Sequence, residues 1–358
     1  MKKSLISIAV LGAMSSAAFA QSNVTIYGIV DAGIVSERGG IGGNVQKVTS
    51  GADSASRIGF KGTEDLGGGL SAIFVAETGF RVDTGALDNT NNQLFNRQSF
   101  VGLSSKTLGT LTLGRQYTPL YETIRDVADP FGAGLAGSAK NLFPVSGDEQ
   151  RTNNTIKYVT PNYMGLTGEL SYSLGEQNGN ATAGREYGLS VDYSNGPLDA
   201  RYVYNGRNNN TATSLNNPMG HNSLIAVNYD FQIAKAFFAY GQDKGLNSAV
   251  LANNVAYTTT AVASSTDSTD LLVGATVPVT GTNGTVIASY IKKNDKEVFN
   301  RDADQWAIGY RYALSKRTNA YVAYAKIKNK NGASYTVGNN SEAGTGDKAF
   351  NLGLKHSF

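Results

Sequence analysis

QWAIGYRYAL, residues 305–314, decides the fold. Its odd-numbered set (Gln305, Ala307, Gly309, Arg311, Ala313) is small or polar, and its even-numbered set (Trp306, Ile308, Tyr310, Tyr312, Leu314) is apolar and aromatic. A strand turns successive side chains to opposite faces, so this segment reads as a strand with one wet face and one greasy face. The same split recurs with Ile225, Val227, Tyr229 and Phe231 against Ala226, Asn228 and Asp230, and with Leu166, Leu170, Tyr172 and Leu174 against Thr167, Glu169, Ser171 and Ser173. At the chain end Phe350, Leu352, Leu354 and Phe358 oppose Asn351, Gly353, Lys355 and Ser357.

Sixteen such runs follow one another, near 24–36, 55–66, 70–82, 96–105, 110–117, 154–161, 166–174, 186–194, 198–205, 222–231, 236–243, 268–278, 285–294, 304–314, 319–328 and 348–358. An even count with both termini at one end is what a closed antiparallel barrel requires. Short connections rich in Gly, Asn and Pro (67–69, 106–109, 162–165, 195–197, 314–318) alternate with long polar links (36–54, 118–153, 206–221, 244–267, 329–347). Short turns on one rim and long loops on the other describe a transmembrane barrel. The expected fold is therefore all-β: a 16-stranded antiparallel transmembrane β-barrel. In Leu70–Glu77 both parities are apolar, and period alone does not orient that strand.

Composition supports this choice over a soluble β-sandwich, which could display the same alternation. Among 358 residues there are 42 glycines, 19 tyrosines and 14 phenylalanines, yet only 16% are charged and 41% hydrophobic. Both shares fall below those of an ordinary soluble domain. Met1–Lys2–Lys3, the apolar run from Leu5 to Leu11 and Ala18–Phe19–Ala20 have the order of a secretory leader, with the mature chain beginning at Gln21. The expected domains are thus a signal peptide over 1–20 and one barrel over 21–358. Nothing after Gln21 is apolar for the ~20 residues a membrane helix needs.

Several functions are excluded. The formal net charge is +3, two of which sit on Lys2 and Lys3, so no basic surface suited to nucleic acid is present. With no cysteine there is neither a thiolate metal site nor a cysteine nucleophile. Of the two histidines, His221 falls in an expected loop and His356 shares parity with Leu354 and Phe358 on the last strand, so neither marks a general base. No metal or cofactor is expected: loop carboxylates such as Asp126 and Asp347 lack the spacing of a calcium loop.

VTIYGIVD (24–31), SRIGFKGTEDLG (56–67), NRQSFVGL (96–103), LGR (113–115), KYVTP (157–161) and the ending LGLKHSF (352–358) together resemble the general porins of Gram-negative bacteria, of the β-proteobacterial type. The resemblance implies a passive diffusion channel for ions and small hydrophilic solutes in the outer membrane. It implies a homotrimer whose long third loop, here 118–153, folds into the lumen, although the family's Pro-Glu-Phe turn is missing and Asp129–Pro130–Phe131–Gly132 or Phe143–Pro144 stand in its place. Outer-membrane lipid, lipopolysaccharide and the barrel-assembly machinery are the implied partners, with Phe358 as the assembly signal. The alternatives are a non-conducting adhesin or structural barrel, and a barrel enzyme.

In a channel the relevant residues are charges at the narrowest point, where a low-dielectric wall concentrates their field. Arg57 and Lys61 share parity with Gly59 and oppose Ile58 and Phe60, so both point inward. Arginines matching Arg57, Arg97 and Arg151 form the basic wall in the family, and Lys157, between Ile156 and Tyr158, extends it. Arg115 is included although Leu111 and Leu113 share its parity, which turns it outward unless the strand bulges. Asp126, Asp129, Asp148 and Glu149 are the expected acidic side on the loop. More basic than acidic residues map to the wall, so a weak anion preference is expected.

Overall fold

A computed structural model describes residues 23–88, 93–145, 150–248 and 266–358. The leader (1–20) and two predicted site residues, Asp148 and Glu149, lie outside the described residues.

Seventeen strand segments form one antiparallel sheet: β1 (Asn23–Gly40), β2 (Gly43–Ser50), β3 (Arg57–Gly67), β4 (Leu70–Gly79), β5 (Gln98–Ser105), β6 (Gly109–Tyr117), β7 (Arg151–Val159), β8 (Leu166–Ser173), β9 (Glu186–Asn195), β10 (Leu198–Arg207), β11 (Gly220–Asp230), β12 (Lys235–Lys244), β13 (Asp267–Pro278), β14 (Gly284–Asp295), β15 (Ala303–Ala313), β16 (Thr318–Asn329) and β17 (Lys348–Ser357). The sheet closes where β17 pairs with β1, from Ile29↔Ser357 to Arg38↔Lys348. β1 is long enough to pair twice on its other side, with β3 from Asn23 to Ile29 and with β2 from Ala32 to Gly40. β2 and β3 therefore share one position in the ring, and the barrel has sixteen positions. The link read as irregular over 36–54 is thus mostly a hairpin extension of β1. Only 51–56 leaves the sheet, turning inward so that Ala52 and Asp53 are buried.

The two faces are inverted relative to a soluble protein. On β15 the outward Trp306 and Ile308 are 47% and 51% exposed while Gln305 is 0% exposed, and on β17 Leu352 is 47% exposed beside Asn351 at 0%. A closed sheet leaves no unpaired edge, which a span through hydrocarbon requires, and the exposed apolar parity is the surface such a span presents to lipid. On β4 the parity left open by the sequence is settled by Glu77, which is buried and inward; Ile73 and Val75 share its face, and Phe74 looks out.

The long link after β6 folds into the barrel. Thr118 caps α1 (Pro119–Thr123), its Oγ1 accepting the Tyr121 N–H at 3.2 Å, and Pro119 fits the first turn, where no N–H is needed. The helix widens into a π turn over Ile124–Ala128, and a 3-10 turn follows at Ala139–Asn141. Leu120, Ile124, Val127, Phe131, Leu135, Leu142 and Phe143 of this link are all buried against Leu224, Ala226, Leu272 and Ala307 of the inner wall. Glycines make the approach possible: a Cβ on Gly274 or Gly309 would come within 2.7 and 2.8 Å of Pro130 and Phe131. Wall amides hold it, as Asn228 Nδ2 donates to the Val127 carbonyl at 3.0 Å and Gln305 Nε2 to the Gly137 carbonyl at 3.2 Å. The inward third loop expected from the resemblance is present, and Asp129–Pro130–Phe131–Gly132 carries its turn.

Candidate functional site: a basic recess beside an acidic one

The inserted loop lies against β9 to β15 and leaves open the side lined by β3 to β7. There a recess of about 300 Å³ is lined by Arg57, Arg97, Tyr117, Tyr121, Arg125, Asp126 and Asn340, among others. Arg97 is buried, with Nε donating to Glu77 Oε1 at 2.6 Å and Nη2 to the Tyr117 hydroxyl at 2.7 Å. Arg57 Nε lies 4.0 Å from Glu77 Oε2, which also accepts the Tyr27 hydroxyl at 3.0 Å. Arg151, at the start of β7, donates to the Tyr117 hydroxyl at 3.3 Å and sits 4.7 Å from that ring's centroid. Three of the six predicted basic residues, Arg57, Arg97 and Arg151, thus converge on one carboxylate and one phenol.

A fourth arginine comes from the loop, where acidic residues alone were expected. Arg125 follows Tyr121 by one helical turn and lies 4.9 Å from the Tyr117 ring centroid and 5.4 Å from that of Tyr121. Asp126 clamps it in a fork, at 2.6 and 2.7 Å. Cation–ring contact and a two-pronged carboxylate fix a side chain that would otherwise sweep the lumen. Among the described residues, four guanidiniums stand against Glu77 and Asp126, which leaves the recess positive.

The other predicted residues lie elsewhere. Lys61 is inward but nearer the short-turn rim, with Nζ 5.3 Å from the Tyr27 ring centroid. Arg115 stands apart from the recess: Nε donates to the Asn96 carbonyl at 2.7 Å and Nη1 to Asn153 Oδ1 at 2.8 Å, tying the starts of two strands together beside a register shift in the β6–β7 pair. Lys157 is inward and buried, but it belongs to a neighbouring acidic recess. Its Nζ meets Glu122 Oε2 at 2.6 Å and Glu169 Oε1 at 2.5 Å. With Asp126, Asp192 and Arg201 these residues line a space of about 230 Å³, four carboxylates to two cations. The acidic side is therefore shared, Glu169 and Asp192 coming from β8 and β9 and Glu122 and Asp126 from the inserted loop, and Asp126 borders both recesses.

Asp129 does not face the opening. Its carboxylate is buried and accepts the backbone N–H groups of Phe131 at 2.9 Å, Ala133 at 2.9 Å and Ala139 at 2.8 Å, so it organises the loop from within. Burial pushes its carboxyl up to about 6 in spite of those three donors. A loop with Asp at position i and backbone turns at i+2 and i+4 is a local signal that identifies such a residue. Asp53 is a second hub. Burial favours its neutral form, but Arg311 and Lys355 outweigh that and hold it below the usual carboxylate range. Arg311 Nη2 lies 2.5 Å from Asp53 and donates also to the Phe131 carbonyl at 2.8 Å, so wall, inward turn and loop are locked together.

Part of 330–347 folds over the same loop. Asn340 Nδ2 donates to the Ala133 carbonyl and its Oδ1 accepts the Ala55 N–H, both at 2.9 Å, and Gly338 N–H donates to Asn141 Oδ1 at 3.0 Å. Lys140 Nζ bonds the Asn340 carbonyl; burial and the nearby Arg151 and Arg97 push its amine down to about 7. No period or spacing signalled these contacts between links so far apart in the chain. Of the histidines, His221 lies on β11 and not in a loop, its Nδ1 2.8 Å from the Tyr204 hydroxyl, and His356 Nδ1 is 2.9 Å from Thr318 Oγ1.

A closed sixteen-position barrel with a lipid-facing apolar exterior, a polar interior and a loop that narrows it defines an outer-membrane channel. Comparison with known proteins places it further. A family profile described as Gram-negative porin matches residues 7–333, and the chain belongs to that family. It is 33% identical to outer membrane porin protein 32 of Delftia acidovorans over all of both chains. It is 30% identical to an outer membrane porin protein of Bordetella pertussis, over 91% of this chain and 94% of that one. Among solved structures, the anion-selective porin from Comamonas acidovorans superposes with a TM-score of 0.75 at 27% identity, covering 94% of this chain and all of that one. The protein is thus an outer-membrane porin, passing solutes by passive diffusion.

Proposed function

We propose that this porin is a homotrimer with a weak preference for small hydrophilic anions, set where Arg57, Arg97, Arg125 and Arg151 meet around Tyr117. The observation that carries this reading is the convergence of four guanidiniums against two carboxylates. The relative from Comamonas acidovorans, described as anion-selective, supports it. The neighbouring acidic recess makes the field transverse: a dipolar, hydrated solute is oriented as it passes, and an apolar one must displace ordered water. Net excess of cations over the narrow stretch then favours anions, while the acids keep the preference small. This reading assigns no covalent chemistry to the chain.

In this reading Gln21 begins the mature chain, outer-membrane lipid and lipopolysaccharide surround the barrel, and Phe358 is read by the barrel-assembly machinery. Phe358 is at the closure seam, where its N–H donates to the Gly28 carbonyl at 3.1 Å and its carbonyl accepts from Gly28 at 3.2 Å.

The test is the zero-current potential across a salt gradient in a planar bilayer, for wild type and for Arg57→Ser/Arg97→Ser. Wild type should give conductance steps in threes with an anion-preferring sign, and the double variant should lose that preference. An unchanged sign and size in the double variant would sink the assignment.

A further inference from the structure

Carboxylates account for three of the four arginines at the basic recess. Glu77 takes Arg97 at 2.6 Å and Arg57 at 4.0 Å, and Asp126 takes Arg125 at 2.6 Å. Arg151 has no carboxylate at ion-pair distance among the described residues, and its Nε is buried without a hydrogen-bond partner. What holds it is Tyr117: Arg151 Nη2 donates to the phenol oxygen at 3.3 Å, and the guanidinium lies 4.7 Å from the ring centroid. The same oxygen accepts Arg97 Nη2 at 2.7 Å, and Arg125 lies 4.9 Å from the same ring. One neutral side chain thus touches three of the four arginines, and its own backbone carbonyl accepts Lys157 Nζ at 3.2 Å.

The chain fixes Tyr117 from both directions. It is the last residue of β6 and pairs with Arg151 itself, the first residue of β7. Thr118, next along, caps α1 and donates its own N–H to the Gln150 carbonyl at 3.1 Å. Gln116, just before, is buried, with Nε2 donating to the Thr155 carbonyl at 3.3 Å. The ring stacks on Tyr121 one helical turn away, centroids 5.1 Å apart, and is itself buried. Close packing and bonded neighbours make the phenol oxygen a fixed point. A phenol oxygen accepts two donors and carries no charge, so it draws Arg97 and Arg151 together without cancelling either, as a carboxylate in its place would.

We propose that Tyr117 is the positioning residue for ion preference: its hydroxyl and ring hold Arg151, uncancelled by any carboxylate among the described residues, at the edge of the lumen. Arg151 is half-buried, so its charge reaches the solute path. The inference rests on the reading that this recess sets the preference, and it names the neutral group through which the recess does so. Arg97 remains tied to Glu77 whether or not the hydroxyl is present, so the hydroxyl acts on the preference through Arg151.

The test is the zero-current potential of the full chain in planar bilayers at 0.01 M salt. It compares wild type, Tyr117→Phe, Arg151→Ser, their double variant and Tyr204→Phe, which removes a hydroxyl on the lipid-facing parity of β10. Removing the Arg151 charge from a path ~10 Å away should lower the anion-to-cation permeability ratio about 2.6-fold. A released guanidinium that withdraws by ~4 Å should lower it about 1.5-fold in Tyr117→Phe. Tyr204→Phe should keep the wild-type ratio. Adding Tyr117→Phe to Arg151→Ser should change nothing more, because the hydroxyl then has no Arg151 to hold. An unchanged ratio in Tyr117→Phe, or the same 1.5-fold fall again on the Arg151→Ser background, overturns the proposal; the second result would mark a merely structural role. Should Tyr117→Phe yield no channel, Arg151→Lys carries the test: it keeps the charge but loses the planar group that lies on the ring, so its ratio should also fall. A wild-type ratio in Arg151→Lys overturns the proposal. If Arg57→Ser/Arg97→Ser loses the preference while Tyr117→Phe keeps it, this inference alone fails, whereas a preference unchanged in Arg57→Ser/Arg97→Ser refutes the reading beneath it.

Discussion

Glu77→Gln separates the two jobs of the one barrel-wall carboxylate among the arginines. The amide keeps the shape and removes a negative charge whose oxygens lie 2.6 Å from Arg97 Nε and 4.0 Å from Arg57 Nε. For an ion passing at ~10 Å through water, a unit charge is worth about 0.4 kcal/mol before screening. At 0.1 M salt the Debye length of about 10 Å cuts this to ~0.15 kcal/mol. Anion and cation feel it with opposite sign, so the anion-to-cation permeability ratio should rise about 1.6-fold at 0.1 M and about 2.6-fold at 0.01 M, where screening is weaker. Stability should move the other way: Arg97, 5% exposed, loses its ion pair, at a cost of about 2–4 kcal/mol. The assay is zero-current potential at both salt concentrations, with thermal unfolding of the same preparations. A ratio that is unchanged at both salts, or that falls, refutes the claim that this cluster sets the field.

Three further outcomes follow from the same geometry. In Asp129→Asn the amide nitrogen opposes backbone donors that the carboxylate accepted, so the loop should loosen, read as noisier and larger conductance steps. Its folded carboxyl is raised from 3.8 to about 6, so the folded state binds the extra proton and stability falls as pH rises from about 4 to about 6. That pH-dependent drop, about 3 kcal/mol for the two-unit shift, should vanish from thermal unfolding curves of the variant. Lys157→Met leaves Glu122 and Glu169 facing each other without a cation, so it should destabilise the barrel by about 3–5 kcal/mol and lower the anion preference, a result checked by unfolding and reversal potential together. Phe358→Ala should cut the amount of assembled barrel in cells while in-vitro refolding into detergent stays near wild type; an equal loss in both would make the residue purely structural.

How much of this was legible in advance depends on the range of the interaction. The strands were, because a closed barrel imposes one rule on every segment: alternate residues meet water or lipid, as Gln305 and Trp306 do. Arg57 and Arg97 were legible through parity and family motif. Arg125 was not, since it acts through a helical turn that stacks it on Tyr117 and Tyr121 within a link with no period of its own. The β1–β2 hairpin was missed because its few residues, rich in glycine and polar side chains, resemble a loop until β1 is seen to pair twice.

The sequence by itself determined the class of surface, apolar outside and polar within, and hence a barrel in a membrane, because that pattern depends only on which neighbours alternate. Only the tertiary structure decided which charges oppose which. Asp129 turned inward to its own loop, Lys157 joined two carboxylates, and Asp53 bound Arg311 and Lys355 of the adjoining wall. Such choices hang on loops whose backbone must find its hydrogen bonds on distant strands, and no local spacing encodes where those partners stand.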